Sequence, residues 1–316
     1  MKGFISKDSH PINYIFLLLL YILGGFFVGN FLSVAILQLN YDIGLLELSS
    51  VVADPASHPH GREAVNLFQG ISHLCAFTLA PLALLLSFGH NFGAYFNPVR
   101  NTPLGLLLLS ALLILVIMPA NSWIIDLNTN MHLPEFLSGF ESWAKAKEEA
   151  LKKLTEYLTR FGSAGDLMLG LLIFALIPAV GEELVFRGVI QKQLIRWFRN
   201  PHVGIWITAL IFGAIHLQFY GMLPRMLLGA LLGYLYWWSG NIWVPILGHF
   251  MNNGFTVLMM YLLQRKVINF NLDTTAAMPL PSILFSVLAS GALLFFLQGQ
   301  FQVWRAGQKL NQPNQG

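Results

Sequence analysis

Two adjacent carboxylates and an arginine interrupt an otherwise apolar run in the stretch GEELVFRG, residues 181–188. A charge near mid-bilayer costs at least about 2.5 kcal/mol on insertion scales, so ionisable groups there point to function and need a partner. Glu183 and Arg187 stand four apart, share a helix face and can pair there. Glu182 then points about 100° away from Glu183 and has no sequence-local partner. Further along, FGAIH sets Phe212 and His216 four apart, and GHFMNNG sets His249 and Asn253 four apart. A desolvated glutamate can serve as a general base. With His216 on the other side of a water molecule, Glu182 can take its proton and aim it at a carbonyl carbon. The oxyanion so formed needs fixed donors in a dry site, and the His249 imidazole N–H and the Asn253 amide are suitable ones. This set suits amide hydrolysis by activated water, with no serine or cysteine nucleophile.

Two other chemistries use the same atoms. Glu182, His216 and His249 are a carboxylate and two imidazoles, a donor set that suits Zn²⁺ with an open position for water. That set leaves Glu183 and Asn253 without a job, and no HExxH occurs in the chain. Metal-free hydrolysis, with no cofactor, is therefore set beside a zinc-dependent version. Buried Glu and His also serve proton relays in transporters, or line a cavity that binds a peptide without cutting it. A binding scaffold would tolerate Glu182→Gln, whereas a hydrolase would not.

The elements that must position these groups are membrane helices. Of 316 residues, 55% are hydrophobic and 10% charged, against about 25% charged in an ordinary soluble domain. Crossing a hydrocarbon core takes about 20 apolar residues. Eight such runs are expected: Tyr14 to Leu37, Asn66 to Phe88, Pro103 to Trp123, Asp166 to Ile195, Val203 to Phe219, Met222 to Trp238, Ile242 to Leu263 and Ile283 to Trp304. The first is too long for the apolar stretch of a cleaved signal peptide and is expected to stay attached. The reading is an all-α polytopic bundle, one membrane domain over 1–316 with its catalytic core at about 166–263. Cys75 is the single cysteine, so an intrachain disulfide is excluded. The net charge of +3 gives no sign of nucleic-acid binding. The distribution of Lys and Arg among the short segments favours a cytoplasmic N-terminus. Between the third and fourth spans, around 139–161, apolar residues such as Phe140, Trp143, Leu151, Leu154 and Leu158 recur at three- and four-residue spacing. They mark an amphipathic helix lying at the membrane surface or capping the bundle. Glu141 with Lys145, Glu148 with Lys152 and Glu149 with Lys153 are i,i+4 pairs on its wet side.

The ordered set EExxxR (Glu182, Glu183, Arg187), FxxxH (Phe212, His216) and HxxxN (His249, Asn253) resembles the CAAX protease and bacteriocin-processing (CPBP, or Abi) family of membrane proteases, which includes the Ras-converting CAAX endopeptidase. The resemblance implies an intramembrane endopeptidase. Glu182 and His216 would activate water, His249 and Asn253 would form the oxyanion hole, and Arg187 would support Glu183. Because bacterial members are often labelled metalloproteases, the metal question stays open. The partners so implied are the lipid bilayer and a hydrophobic or membrane-tethered peptide substrate. The expected location is a bacterial inner membrane, with bacteriocin maturation or self-immunity as family precedents. Trp206, Phe219, Tyr236, Trp237 and Trp238 near the motifs serve either as apolar walls for such a peptide or as interface anchors.

Overall fold

The computed structural model describes residues 3–99, 101–269 and 277–310. Among these all the regular structure is helical, with no strand. In chain order the helices are α1 (Pro11–Tyr41), α2 (Leu45–Ala53), α3 (Gly61–Ser87), α4 (Phe92–Phe96), α5 (Leu104–Thr129), α6 (Ser138–Leu158), α7 (Ala164–Phe198), α8 (Pro201–Ala214), α9 (Phe219–Ser239), α10 (Trp243–Gln264) and α11 (Leu280–Leu310). The protein is an integral membrane protein: α1, α3, α5, α7, α10 and α11 are each long and apolar enough to cross a membrane.

The other two expected spans differ. The fifth becomes α8, of 14 residues, about 21 Å at 1.5 Å per residue, against a core of about 30 Å. The sixth becomes α9, which has the length but carries Pro224 and Arg225 in its second turn and is not among the six. Local chemistry explains the helix starts. Pro11 opens α1 with His10 accepting the Ile12 N–H. Ser163 and Asp166 cap α7 reciprocally, and the Asn200 side chain accepts from His202 and Val203 ahead of α8. Each cap satisfies backbone donors that a helix start leaves open. Gly240 ends α9 in the left-handed region, at φ 64°.

Two of the spans are not regular. Helix α3 widens to π geometry over Leu74–Leu79, and α7 does so twice, over Leu171–Leu176 and Leu184–Gln191. Such wide turns are rare and frequently occur at functional sites.

The chain divides into two compact units. The first holds residues up to Phe92, Ala150–Gln193 and Asn253–Asn269. Its core joins Leu37, Ile43, Val51, Ala64, Val65 and Leu158. Arg62 at the start of α3 bonds Asp166 at the start of α7, 2.9 Å away, and also reaches the Arg160 carbonyl. Gln264 at the end of α10 accepts the Phe161 N–H at 2.7 Å and donates to the Thr159 carbonyl at 2.9 Å. On α1, Phe16, Leu23, Phe27 and Phe31 stay exposed, as a helix bathed in lipid allows. Against lipid, helices associate through close packing and polar contacts rather than through escape from water.

The second unit holds Gly93–Glu149, Leu194–Asn252 and the residues from Phe270 on. Leu113 and Ile114 of α5, Leu232 and Leu235 of α9, Val244 of α10, and Leu297 and Phe301 of α11 form its main core. Ile205 and Ala209 of α8 meet Ala230 of α9 in a second cluster. Helix α6 begins in this unit, where Glu148 accepts the Tyr220 N–H at 2.7 Å and so caps the start of α9. Phe140 meets Phe219 edge to face at 5.3 Å between ring centres. The end of α6 belongs to the first unit, where the Tyr157 hydroxyl donates to the Pro55 carbonyl at 3.1 Å.

Candidate active site

The first unit carries Glu182, Glu183, Arg187 and Asn253. Arg187 donates to Glu183 at 2.6 Å, and both side chains are completely buried, at 0% exposure. The spacing brings them together as expected, although Arg187 lies in the π stretch of α7. A buried charge of either sign is costly alone, and the pair offsets both costs only while both partners are present.

Glu182 is different. Its side chain is 13% exposed, and His73 of α3 brings Nε2 to 3.4 Å from its Oε1. The expectation that Glu182 lacks a sequence-local partner therefore meets a partner 109 positions away. His73 is the residue that the sequence reasoning missed. Its only signal was an ionisable group inside the second apolar run.

Asn253 donates from Nδ2 to the Phe174 carbonyl at 3.3 Å. Phe174 lies in the first π stretch of α7, where the ordinary helical bonding pattern is altered. An asparagine amide carries two N–H donors, and this contact fixes the plane of the group.

The second unit carries Phe212, His216 and His249. Phe212 is buried and stands edge to face with both imidazoles, its ring centre 5.2 Å from that of His216 and 5.9 Å from that of His249. This is the geometry that the aromatic quadrupole favours. The aromatic position of FxxxH is thus a wall shared by the two histidines. Gly229 of α9 permits it, because a Cβ there would lie 3.2 Å from Phe212 Cδ1 and 3.3 Å from the Ala209 Cα.

His216 lies beyond the helix that was expected to hold it. Helix α8 ends at Ala214, His216 occupies the following turn, and Leu217 adopts φ 52°. A bulky residue in the left-handed region is uncommon, and here it reverses the chain into α9. His216 Nδ1 lies 2.8 Å from the Phe212 carbonyl. Because a carbonyl can only accept, Nδ1 carries the proton, and Nε2 is the lone-pair nitrogen of the neutral ring. That tautomer suits a group that accepts a hydrogen bond at Nε2. His249 is buried and sits on α10 one turn before Asn253, so the two side chains share a helix face.

The zinc donor set is divided, with Glu182 in the first unit and His216 and His249 in the second. Among the described residues of either unit, no group of three or more His, Cys, Asp or Glu is placed to hold a metal ion.

Residues 164–255 match the family model described as type II CAAX prenyl endopeptidase Rce1-like. The expected family stretch began at Asp166 and ran to Leu263, so the match falls on the same three motifs. Two relatives from Bacillus subtilis strain 168 align with part of the chain. The "Uncharacterized protein YpbD" is 35% identical over 88 residues, 26% of this chain and 40% of that protein. The "Putative membrane peptidase YdiL" is 31% identical over 89 residues, 28% of this chain and 36% of that protein. The chain thus spans about two fifths or less of the length of the relatives it matches. No solved structure matches it. The stretch from 164 to 255, which carries all three motifs, is thus similar to an Rce1-like type II CAAX prenyl endopeptidase domain.

Proposed function

We propose that the protein is an intramembrane endopeptidase that cuts a peptide bond in a hydrophobic or membrane-tethered peptide. Glu182 takes a proton from water, His216 orients that water through Nε2, and the water oxygen attacks the carbonyl carbon. The oxyanion is held by the His249 N–H and the Asn253 amide. Collapse of the tetrahedral species breaks the C–N bond, and the proton first taken by Glu182 leaves on the amine. No covalent enzyme intermediate forms, and no outside co-reactant is needed.

One observation carries this reading. Inside the Rce1-like stretch, two neighbouring glutamates are held differently: Glu183 is wholly buried on Arg187, while Glu182 keeps 13% of its side chain exposed. In this reading the first serves structure and the second chemistry. The relatives' bacterial source supports an inner-membrane location, and the distribution of Lys and Arg supports a cytoplasmic N-terminus.

The direct test compares peptide termini, by mass spectrometry, in cells making the wild type, Glu182→Ala or His216→Ala at equal protein levels. New termini confined to the wild type support hydrolysis and identify a first substrate. Termini identical in all three would sink the proposal and favour a peptide-binding scaffold. A chelator added to the purified enzyme separates the two hydrolytic versions. Unchanged turnover favours the metal-free route, and loss reversed by Zn²⁺ favours the metal-dependent one.

A further inference from the structure

We infer that His73 is a positioning residue for Glu182, holding the carboxylate in the orientation from which it acts. The inference rests on the hydrolase reading for its catalytic meaning and on geometry within the first unit for its contact.

Four observations converge on it. His73 Nε2 faces Glu182 Oε1 at 3.4 Å, with both side chains largely buried. The imidazole is stacked on Phe77, with ring centres 4.5 Å apart and planes 17° from parallel, which fixes its plane. His73 is the last regular residue of α3 before the π stretch Leu74–Leu79, which carries Phe77 and Thr78. The backbone just before Glu182 rests directly on this group. A Cβ at Gly181 would stand 2.8 Å from Phe77 Cβ, 3.0 Å from His73 Cε1 and 3.1 Å from Thr78 Oγ1.

The ring's polar contacts give the direction of the bond. His73 Nδ1 is buried and, among the described residues, has no hydrogen-bond partner. Nε2 therefore makes the ring's polar contact, and a carboxylate oxygen opposite it is an acceptor. The proton belongs on Nε2, donated to Oε1. A donor fixed on one oxygen stops rotation of the carboxyl group and sets where the second oxygen points. A general base needs that control, because proton transfer depends on geometry before it depends on basicity. The arrangement parallels the orienting partner of a catalytic imidazole, with the roles exchanged: here an imidazole orients a carboxylate.

The test uses the full-length protein in lipid nanodiscs, with the first peptide identified by the termini experiment as substrate. Hydrogen bonds to charged groups have a size that corresponds to a rate loss of about 10- to 100-fold when one is removed. His73→Ala and His73→Phe are expected to lower kcat by that factor with KM within about twofold. His73→Phe keeps a ring against Phe77 and so separates the lost donor from lost packing. His73→Gln, whose amide nitrogen can replace Nε2, is expected to recover most of the rate. Independently of activity, ¹⁵N-histidine spectra should show the His73 ring nitrogens shifting in Glu182→Gln. His73→Phe turning over like the wild type, while Glu182→Ala is dead, would overturn this inference and leave the hydrolase reading standing. An unshifted His73 signal in Glu182→Gln would overturn it as well. Termini that persist in Glu182→Ala would remove the hydrolase reading and this inference together.

Discussion

Glu183 with Arg187 and Glu141 with Lys145 are the same pair by every local measure. Each is a glutamate four residues before its cation, and each closes to 2.6 Å. Their surroundings are opposite. The first pair is sealed within a membrane span at 0% exposure on both sides, whereas on the amphipathic helix Glu141 is 14% exposed and Lys145 48%. Spacing brings both of these pairs together, and the solvent around them fixes what the meeting is worth. In water the two charges exchange one set of hydrogen bonds for another. Within the span there is nothing to exchange with, so each charge depends on its partner.

The strongest way to sharpen that contrast lies one residue away. Glu182→Ala removes a carboxylate outside the sealed pair, and it is expected to cut wild-type-specific peptide termini by about 100-fold or more while leaving the unfolding equilibrium nearly unchanged. Arg187→Ala should do the reverse in kind. It removes the 2.6 Å partner of Glu183 and is expected to cost about 3–5 kcal/mol of stability, measured by equilibrium unfolding in bicelles. A Glu183→Leu, Arg187→Met double variant should recover most of that loss, and failure to do so would break the argument that the pair is held by mutual need. Phe212→Ala, which removes the wall between His216 and His249, should cost about 3 kcal/mol and weaken turnover with no charge altered. The smallest effect is expected at the wet pair. The hydrogen bond from Lys145, then that from the Leu133 N–H, holds the Glu141 carboxyl at about 2, below its ordinary 4.5. A depressed carboxyl contributes stability that is present above about pH 4.5 and is lost as pH falls toward 2. Lys145→Ala should raise the Glu141 value, read by carboxyl NMR titration, and lower the unfolding midpoint at neutral pH only slightly.

Much of this was legible in the sequence because it depends on short spacing. The Glu183–Arg187 pair, the Phe212–His216 turn and the helical face of α6 all follow from three- and four-residue intervals, and the six long spans follow from apolar length. What escaped depends on partners distant in sequence or on geometry that composition does not encode. His73 meets Glu182 across 109 positions, and nothing local distinguishes it from other histidines. His216 falls outside its helix because Leu217 takes a left-handed conformation, which a leucine does not announce. Helix α8 is short because the chain turns there, although its residues stay apolar up to that point. The Glu148 carboxylate, assigned by spacing to the wet face, caps the start of α9 instead. The short α2 lies in a segment with too few periodic residues to reveal it.

The π stretch after Glu183 gives chain length an angular meaning. Its bonds reach five positions instead of four, so Leu184–Gln191 winds more slowly than the α-helical turns on either side. Lys192 and Gln193, the next residues of the first unit, inherit that offset. Removing one residue there while the wide winding persists would rotate Lys192 and Gln193 relative to Glu182 by about one residue step, on the order of 100°, without changing any side chain that does chemistry. In this tract the number of residues acts as a setting on a dial, and a substitution scan that keeps the count constant would never register it.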